Sequence, residues 1–265
     1  MNQLRHIHLP ETESTNKYAR EGVAWQGVAT LITADYQTSG RGQRGNTWES
    51  EAGKNLLFTL ALPTHSIKAS EQFALCELIS VSICEVLAQY NTDIRIKWPN
   101  DIYYKDKKLC GILIEHDLEG AYLSRSLIGV GLNVNQTEFH SDAPNPISLR
   151  QILGHEIERE ALLEAIITCI LKLYEQYTSL APTLSREALH ERYLNLLYRR
   201  DIPAEYCDAQ GTFTATLRTV EPDGRLRLED PQGYVRSYLF KEVSPYARIC
   251  VGQDETSSRA RRETT

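Results

Sequence analysis

Three short stretches concentrate residue types that can handle phosphate and carboxylate chemistry. The first is Gly40-Arg41-Gly42-Gln43-Arg44-Gly45-Asn46-Thr47-Trp48. Its glycines permit close backbone approach to a ligand, and successive N–H groups in such a loop can cradle an anion. Arg41 and Arg44 add forked donors suited to phosphate, and Trp48 adds a flat apolar wall. A solvated turn would explain the glycines and arginines alone; a large aromatic in a polar loop needs something to cover. The second stretch is Lys97-Trp98-Pro99-Asn100-Asp101, followed by Lys108-Leu109-Cys110-Gly111-Ile112-Leu113-Ile114-Glu115. Lysines here can neutralise charge that grows on a leaving phosphate, while Asp101 and Asn100 are hard oxygen ligands suited to Mg2+. Lys105 to Lys107 read equally well as solvated hairpin charges. Lys97 does not, because it lies between alternating apolar neighbours.

The third stretch is Gly129-Val130-Gly131-Leu132-Asn133-Val134-Asn135. It is not GxGxxG and precedes no helix, so a dinucleotide fingerprint is rejected. A close-approach strand with Asn133 facing a pocket and a simple bulge remain open. A fourth, Glu13-Ser14-Thr15-Asn16, reads locally as a helix cap. There is no HExxH, no metal-spaced Cys/His set, no Walker loop and no GxSxG.

The elements that must position these residues follow from periodicity. A helix is predicted over Asn16 to Val23, and strands over Val28 to Ala34 and Leu56 to Leu62, separated by a glycine-rich loop. A long helix follows over Ala69 to Tyr90, with Leu75, Leu78, Ile79, Ile83, Val86 and Leu87 at helical spacing. Ile94, Ile96 and Trp98 alternate before Pro99. Tyr103 and Leu109 flank a hairpin, and Leu123 to Val134 is a strand region interrupted by Gly129 and Gly131. Helices are predicted over Glu160 to Tyr177 and Ser185 to Leu197. Beyond Asp201 the pattern becomes short strands with Pro-Asp-Gly and Pro-Gln-Gly turns. This divides the chain into an α/β or α+β domain over residues 1–200, a small all-β domain over 201–250 and a disordered tail over 251–265.

A chain of 265 residues accommodates that pair of domains. Hydrophobic residues at 42% and charged residues at 24% exclude a disordered or fibrous class. A net charge of -6 gives no overall attraction to DNA or to an anionic membrane. The six cysteines form no CxxC pair and read as reduced, mostly buried thiols. No signal peptide and no membrane span are evident, which points to the cytoplasm.

Taken in this order and at these separations, GRGxxGxxW, KWPND and KxxGILxE closely resemble the biotin–protein ligase family, from about Ile7 to Arg248. The resemblance implies an α+β fold: a mixed β-sheet catalytic domain with flanking helices, followed by a small SH3-like β-barrel. It also implies the short form of the family, because the first strand-like run starts at His6 and leaves no room for an N-terminal DNA-binding domain. The implied activity is formation of biotinyl-5′-AMP from biotin and ATP, with Mg2+. Biotin then passes to a lysine of a carrier domain of a biotin-dependent carboxylase.

Carried over by position, the resemblance assigns biotin to Ser14, Thr15, Asn16, Gln37, Arg41, Gly42, Gln43, Lys108 and Gly111. It assigns the nucleotide to Arg41, Arg44, Trp48, Lys97, Asn100, Lys108 and Asn133. Lys108, Asp101, Lys97 and Arg41 are the implied catalytic residues, and Asp101 and Asn100 the implied Mg2+ ligands. A lipoate or octanoate ligase and a non-catalytic biotin sensor are the competing readings. Neither DNA nor membrane is an expected partner; a monomer and a homodimer are both admissible.

One position departs from the pattern, since many family members carry arginine where this chain has Gln43. Arg44 or Lys108 is expected to compensate. A site loosened at Gln43 would instead release the reactive adenylate, which would label lysines of bulk albumin added as bait. Labelling no higher than background would show that the grip is intact.

Overall fold

The computed structural model describes residues 4–23, 25–42, 46–141 and 145–245. The chain divides into two compact units, Met1–Tyr198 and Arg199–Thr265. In the first, seven strands form one sheet: β1 (Arg5–Thr12), β2 (Thr30–Gln37), β3 (Leu56–Pro63), β4 (Ile94–Lys97), β5 (Asp101–Tyr104), β6 (Lys107–Glu119) and β7 (Tyr122–Leu132). Their order is β1-β2-β3-β7-β6-β5-β4. Only the β1–β2 pair is parallel. A parallel neighbour needs a crossover. Here it is supplied by α1 (Thr15–Lys17) and the wider π-helical turn Tyr18–Gly22.

Helix α2 (Phe73–Leu87) is buried almost all round, and a three-residue 3-10 turn at Ala69–Glu71 precedes it where one continuous helix was expected. It packs against β4 and β5, and against α4 (Arg159–Thr178) and α5 (Arg186–Asn195). A short α3 (Leu149–Leu153), not anticipated, is fixed by a capping box in which the Ser148 hydroxyl accepts from the Gln151 N–H. The second unit is a five-stranded antiparallel sheet in the order β11-β10-β9-β8-β12. Its strands are β8 (Pro203–Asp208), β9 (Gly211–Val220), β10 (Leu226–Glu229), β11 (Val235–Tyr238) and β12 (Val243–Pro245).

Three expectations change. Strand β7 runs unbroken through Gly129 and Gly131 in continuous register with β3 and β6, so neither glycine marks a bulge. Ser14 occupies the N-cap of α1 in extended conformation, but its hydroxyl makes no capping bond. Cys207 is disulfide-bonded, so not all six cysteines are thiols. Cys76, Cys84, Cys110 and Cys169 are free, and burial pushes all four thiols up. The expected tail over 251–265 lies outside the described residues. Among the described residues no helix is long and apolar enough to cross a membrane.

Where α5 meets α2, the fully buried Glu77 carboxylate accepts from the Arg186 guanidinium and lies 2.6 Å from His190 Nδ1. A charge this deep is tolerable only because it is paired. The double variant Arg186→Ala/His190→Ala strands it. We expect a loss of about 3–5 kcal/mol, seen as a lower urea midpoint at unchanged m-value. A loss below about 1 kcal/mol would contradict this account of the helix pair.

Candidate active site on the glycine face of the sheet

Side chains alternate across a strand, so Leu57, Thr59, Gly129, Gly131 and Gly111 share one sheet face, with Gly131 paired to Gly111 on one side and Leu57 on the other. The missing side chains leave room for Trp48. A Cβ on Gly131 would lie 2.4 Å from the Trp48 indole, and one on Gly111 would lie 2.9 Å from it. The loop that carries Trp48 folds back on itself. Trp48 N–H donates to Gly40 O at 2.9 Å, and Gly42 N–H donates to Asn46 O at 2.7 Å. Arg41 bridges to Thr47. A Cβ on Gly40 would meet the Trp48 carbonyl at 2.5 Å, so this close return needs glycine. Arg41 is exposed. Gln43 and Arg44 lie outside the described residues.

Beside Trp48 on the same face lies a buried polar chain. Asn16 fills the space over Gly129, where a Cβ would come within 2.3 Å of its Oδ1. Asn16 Nδ2 donates to Glu115 Oε2 at 3.0 Å, which turns its Oδ1 toward Thr59 Oγ1 at 2.5 Å. Thr59 Oγ1 is also 2.8 Å from Thr15 Oγ1. A hydroxyl has one proton and a carboxamide oxygen only accepts. The Thr59 proton therefore goes to Asn16, and the single Thr15 hydroxyl proton faces two acceptors, Thr59 Oγ1 at 2.8 Å and Gln37 Oε1 at 3.1 Å. Gln37 Oε1 accepts the Thr15 N–H at 2.8 Å. Ser14, Thr15, Asn16 and Thr59 are all buried. Thr59 and Glu115 were given no role from sequence. Their signal was a lone threonine inside the apolar run Leu56 to Leu62, and an acid at the end of KxxGILxE.

At the other end of the face, Lys108 Nζ donates to Asp101 Oδ2 at 2.7 Å and stands 5.8 Å from the centre of the Trp48 ring. Lys97 Nζ donates to Tyr103 OH at 3.1 Å. Asn100 Nδ2 donates to Ile112 O at 3.3 Å, bracing the turn that carries it. Asn133 continues β7 two residues beyond Gly131; its Nδ2 donates to Ile147 O at 3.1 Å. Among the described residues, two buried side-chain polar atoms have no hydrogen-bond partner, Trp48 Nε1 and Asn133 Oδ1. An unpaired buried donor and acceptor cost free energy unless a ligand completes them. Among the described residues no group of three or more His, Cys, Asp or Glu side chains could hold a metal ion.

The structure thus gathers Ser14, Thr15, Asn16 and Gln37 at one end, Trp48 and Gly111 in the middle, and Lys97, Asn100, Asp101, Lys108 and Asn133 at the other. A cavity of about 330 Å³ lined by His6, His8, Thr33, Phe58 and Arg159 opens on the opposite face and contains none of them. Gly131→Ala should force Trp48 off the sheet. With Trp25 and Trp98 replaced by Phe, Trp48 emission should shift to longer wavelength in the alanine variant. Unchanged emission would contradict the contact.

Residues 9–133 match the model of the biotin/lipoate A/B protein ligase family. A bifunctional ligase/repressor of Bacillus subtilis is 32% identical over 242 residues, covering 89% of this chain and 71% of that protein. A biotin–[acetyl-CoA-carboxylase] ligase of Paracoccus denitrificans is 25% identical, covering 92% of this chain and 99% of that one. The biotin protein ligase of Aquifex aeolicus, solved with biotin and ATP, shares the fold, with a TM-score of 0.75 at 24% identity over 92% of this chain. Sequence likeness of this extent, over a face with these residues in place, establishes that the chain belongs to the biotin–protein ligase family.

Proposed function

We propose that this chain activates biotin with ATP and transfers it to a lysine of a biotin carrier domain of a carboxylase. The observation that carries the reading is the Lys108–Asp101 pair beside the Trp48 slot, together with an unpaired buried donor, Trp48 Nε1, and an unpaired buried acceptor, Asn133 Oδ1. In the first step the biotin carboxylate attacks the α-phosphorus of ATP. The new P–O bond forms as the bond to pyrophosphate breaks. Two anions must approach each other, and the ammonium groups of Lys108 and Lys97 offset that repulsion and the charge growing at the phosphorus. Mg2+ would enter with the nucleotide; Asp101, with Asn100, would supply oxygen ligands for it, and there it would offset charge on the phosphates.

The remaining roles are those that the family resemblance implies, and the residue chemistry fits them. The buried chain Thr15–Thr59–Asn16, with Ser14 and Gln37, offers hydroxyls and amides to the two N–H groups and one carbonyl of the ureido ring. Asn133 Oδ1 accepts from an amino group on the base, and Trp48 walls the adenylate from water. In the second step the neutral acceptor amine attacks the acyl carbon and AMP leaves with the bonding electron pair. Asp101 orients the incoming amine and takes up its proton. Arg41 offers its guanidinium to the adenylate phosphate.

The expected result is exchange of labelled pyrophosphate into ATP that depends on biotin, with lipoate and octanoate inactive in parallel. Lys108→Ala should lower that exchange by roughly 10²–10³-fold, the scale of one lost donor to a developing charge. Exchange with lipoate in place of biotin, or a Lys108→Ala rate near wild type, would overturn the assignment.

A further inference from the structure

The segment Lys97–Asp101 projects from a short edge strand, yet its ends are held from a distance. Tyr193 of α5 is fully buried, and its hydroxyl donates to the Pro99 carbonyl at 2.8 Å. Its ring meets Phe73 of α2 edge-on, with centroids 5.6 Å apart. Beyond α5 the chain pairs with β4: Ile96 N–H donates to Leu196 O at 2.9 Å, and Tyr198 N–H donates to Ile96 O at 2.8 Å. That pairing covers the exposed edge of β4 and brings Tyr198 against Tyr103, with ring centroids 5.8 Å apart. The Tyr198 hydroxyl donates to Asp106, tying down the turn after β5. On Tyr103 rests Lys97, its ammonium 3.1 Å from the phenol oxygen and 4.6 Å from the ring centre.

We propose that the end of α5 is a positioning clamp for the phosphate-facing segment, Tyr193 fixing the Pro99 carbonyl and Tyr198 fixing Tyr103, which in turn holds Lys97. This rests on the reading that Lys97 faces the phosphates of ATP. An ammonium on four flexible methylenes has many rotamers, and a fixed phenol restricts them. The clamp explains why a charged helix contact nearly 100 residues further along the chain is built on Glu77 and Glu85. Arg186, His190 and Arg192 of α5 anchor the helix on those two acids, and so set the height at which Tyr193 and Tyr198 arrive. Neither tyrosine is a catalytic residue on this account.

The test is a double-mutant cycle in the full chain, read by biotin-dependent pyrophosphate exchange. Tyr198→Ala should raise KM for ATP about fivefold, the scale of one lost weak contact, with KM for biotin unchanged. Tyr198→Phe, which keeps the ring, should restore most of it. In a Lys97→Ala background Tyr198→Ala should cost nothing further, because a residue acting through Lys97 has nothing left to position. Multiplying effects in the cycle, or a rise in KM for biotin equal to that for ATP, would overturn the clamp. A readout independent of turnover is the 13Cε signal of Lys97, identified by its loss in Lys97→Arg. It should move in Tyr198→Ala and stay in place in Tyr198→Phe. A Lys97 signal unmoved by Tyr198→Ala overturns the clamp whatever the enzyme catalyses. A clamp confirmed by that signal in a chain that exchanges with no acid would overturn only the functional reading.

Discussion

A tryptophan can lie flat against a β-sheet only where the sheet presents no side chains, and this condition organises the site. Gly111 and Gly131 face each other across β6 and β7, and together they clear an area the size of one indole. Gly129, one step along the same face, clears a second area for the Asn16 carboxamide. A long slot results, whose floor is backbone and whose contents are chosen by loops at each end. Helix α2 packs against β4 and β5, α4 packs against α2, and β6 and β7 keep unbroken register past Gly111 so that the three glycines align.

The electrostatics follow the same division. At the Asn16 end hydroxyls and carboxamides bond one another, with the Glu115 carboxylate accepting from Asn16, so the low dielectric strengthens each bond instead of penalising it. At the Lys108 end the groups are ionised and partly open to water: Lys108 and Asp101 each keep roughly a quarter to a third of their side-chain surface. A ligand that is neutral at one end and anionic at the other therefore finds matching surroundings along a single face. The free thiols stay out of this chemistry, because burial raises them and holds them protonated.

Legibility of the molecule in its sequence varied with the range of the interactions. GRGxxGxxW and KWPND are local patterns, and each stands close to where the structure uses it. Strands and helices with clean periodicity, such as Leu56 to Leu62 and Glu160 to Tyr177, needed only small boundary changes. Gly129 and Gly131 were ambiguous because a bulge and a close approach ask the same thing of a sequence; only the neighbours Asn16 and Trp48 decide between them. Thr59 and Glu115 gained their roles from partners 43 and 99 residues away, and Tyr193 from one 94 residues away. No spacing rule covers such distances. Ser148 and Gln151 were the reverse case, a readable capping box that went unread.

The bare floor also bears on how this protein can change over generations. Every single-base replacement of a glycine codon that still encodes an amino acid either leaves glycine or adds at least one carbon. At Gly131 and Gly111 that carbon would overlap an indole already in contact. These two codons are thus closed to ordinary drift, in contrast to the loop residues above them. A compound that seats itself on the strip of backbone between β6 and β7 would press on the part of the molecule least able to escape by mutation.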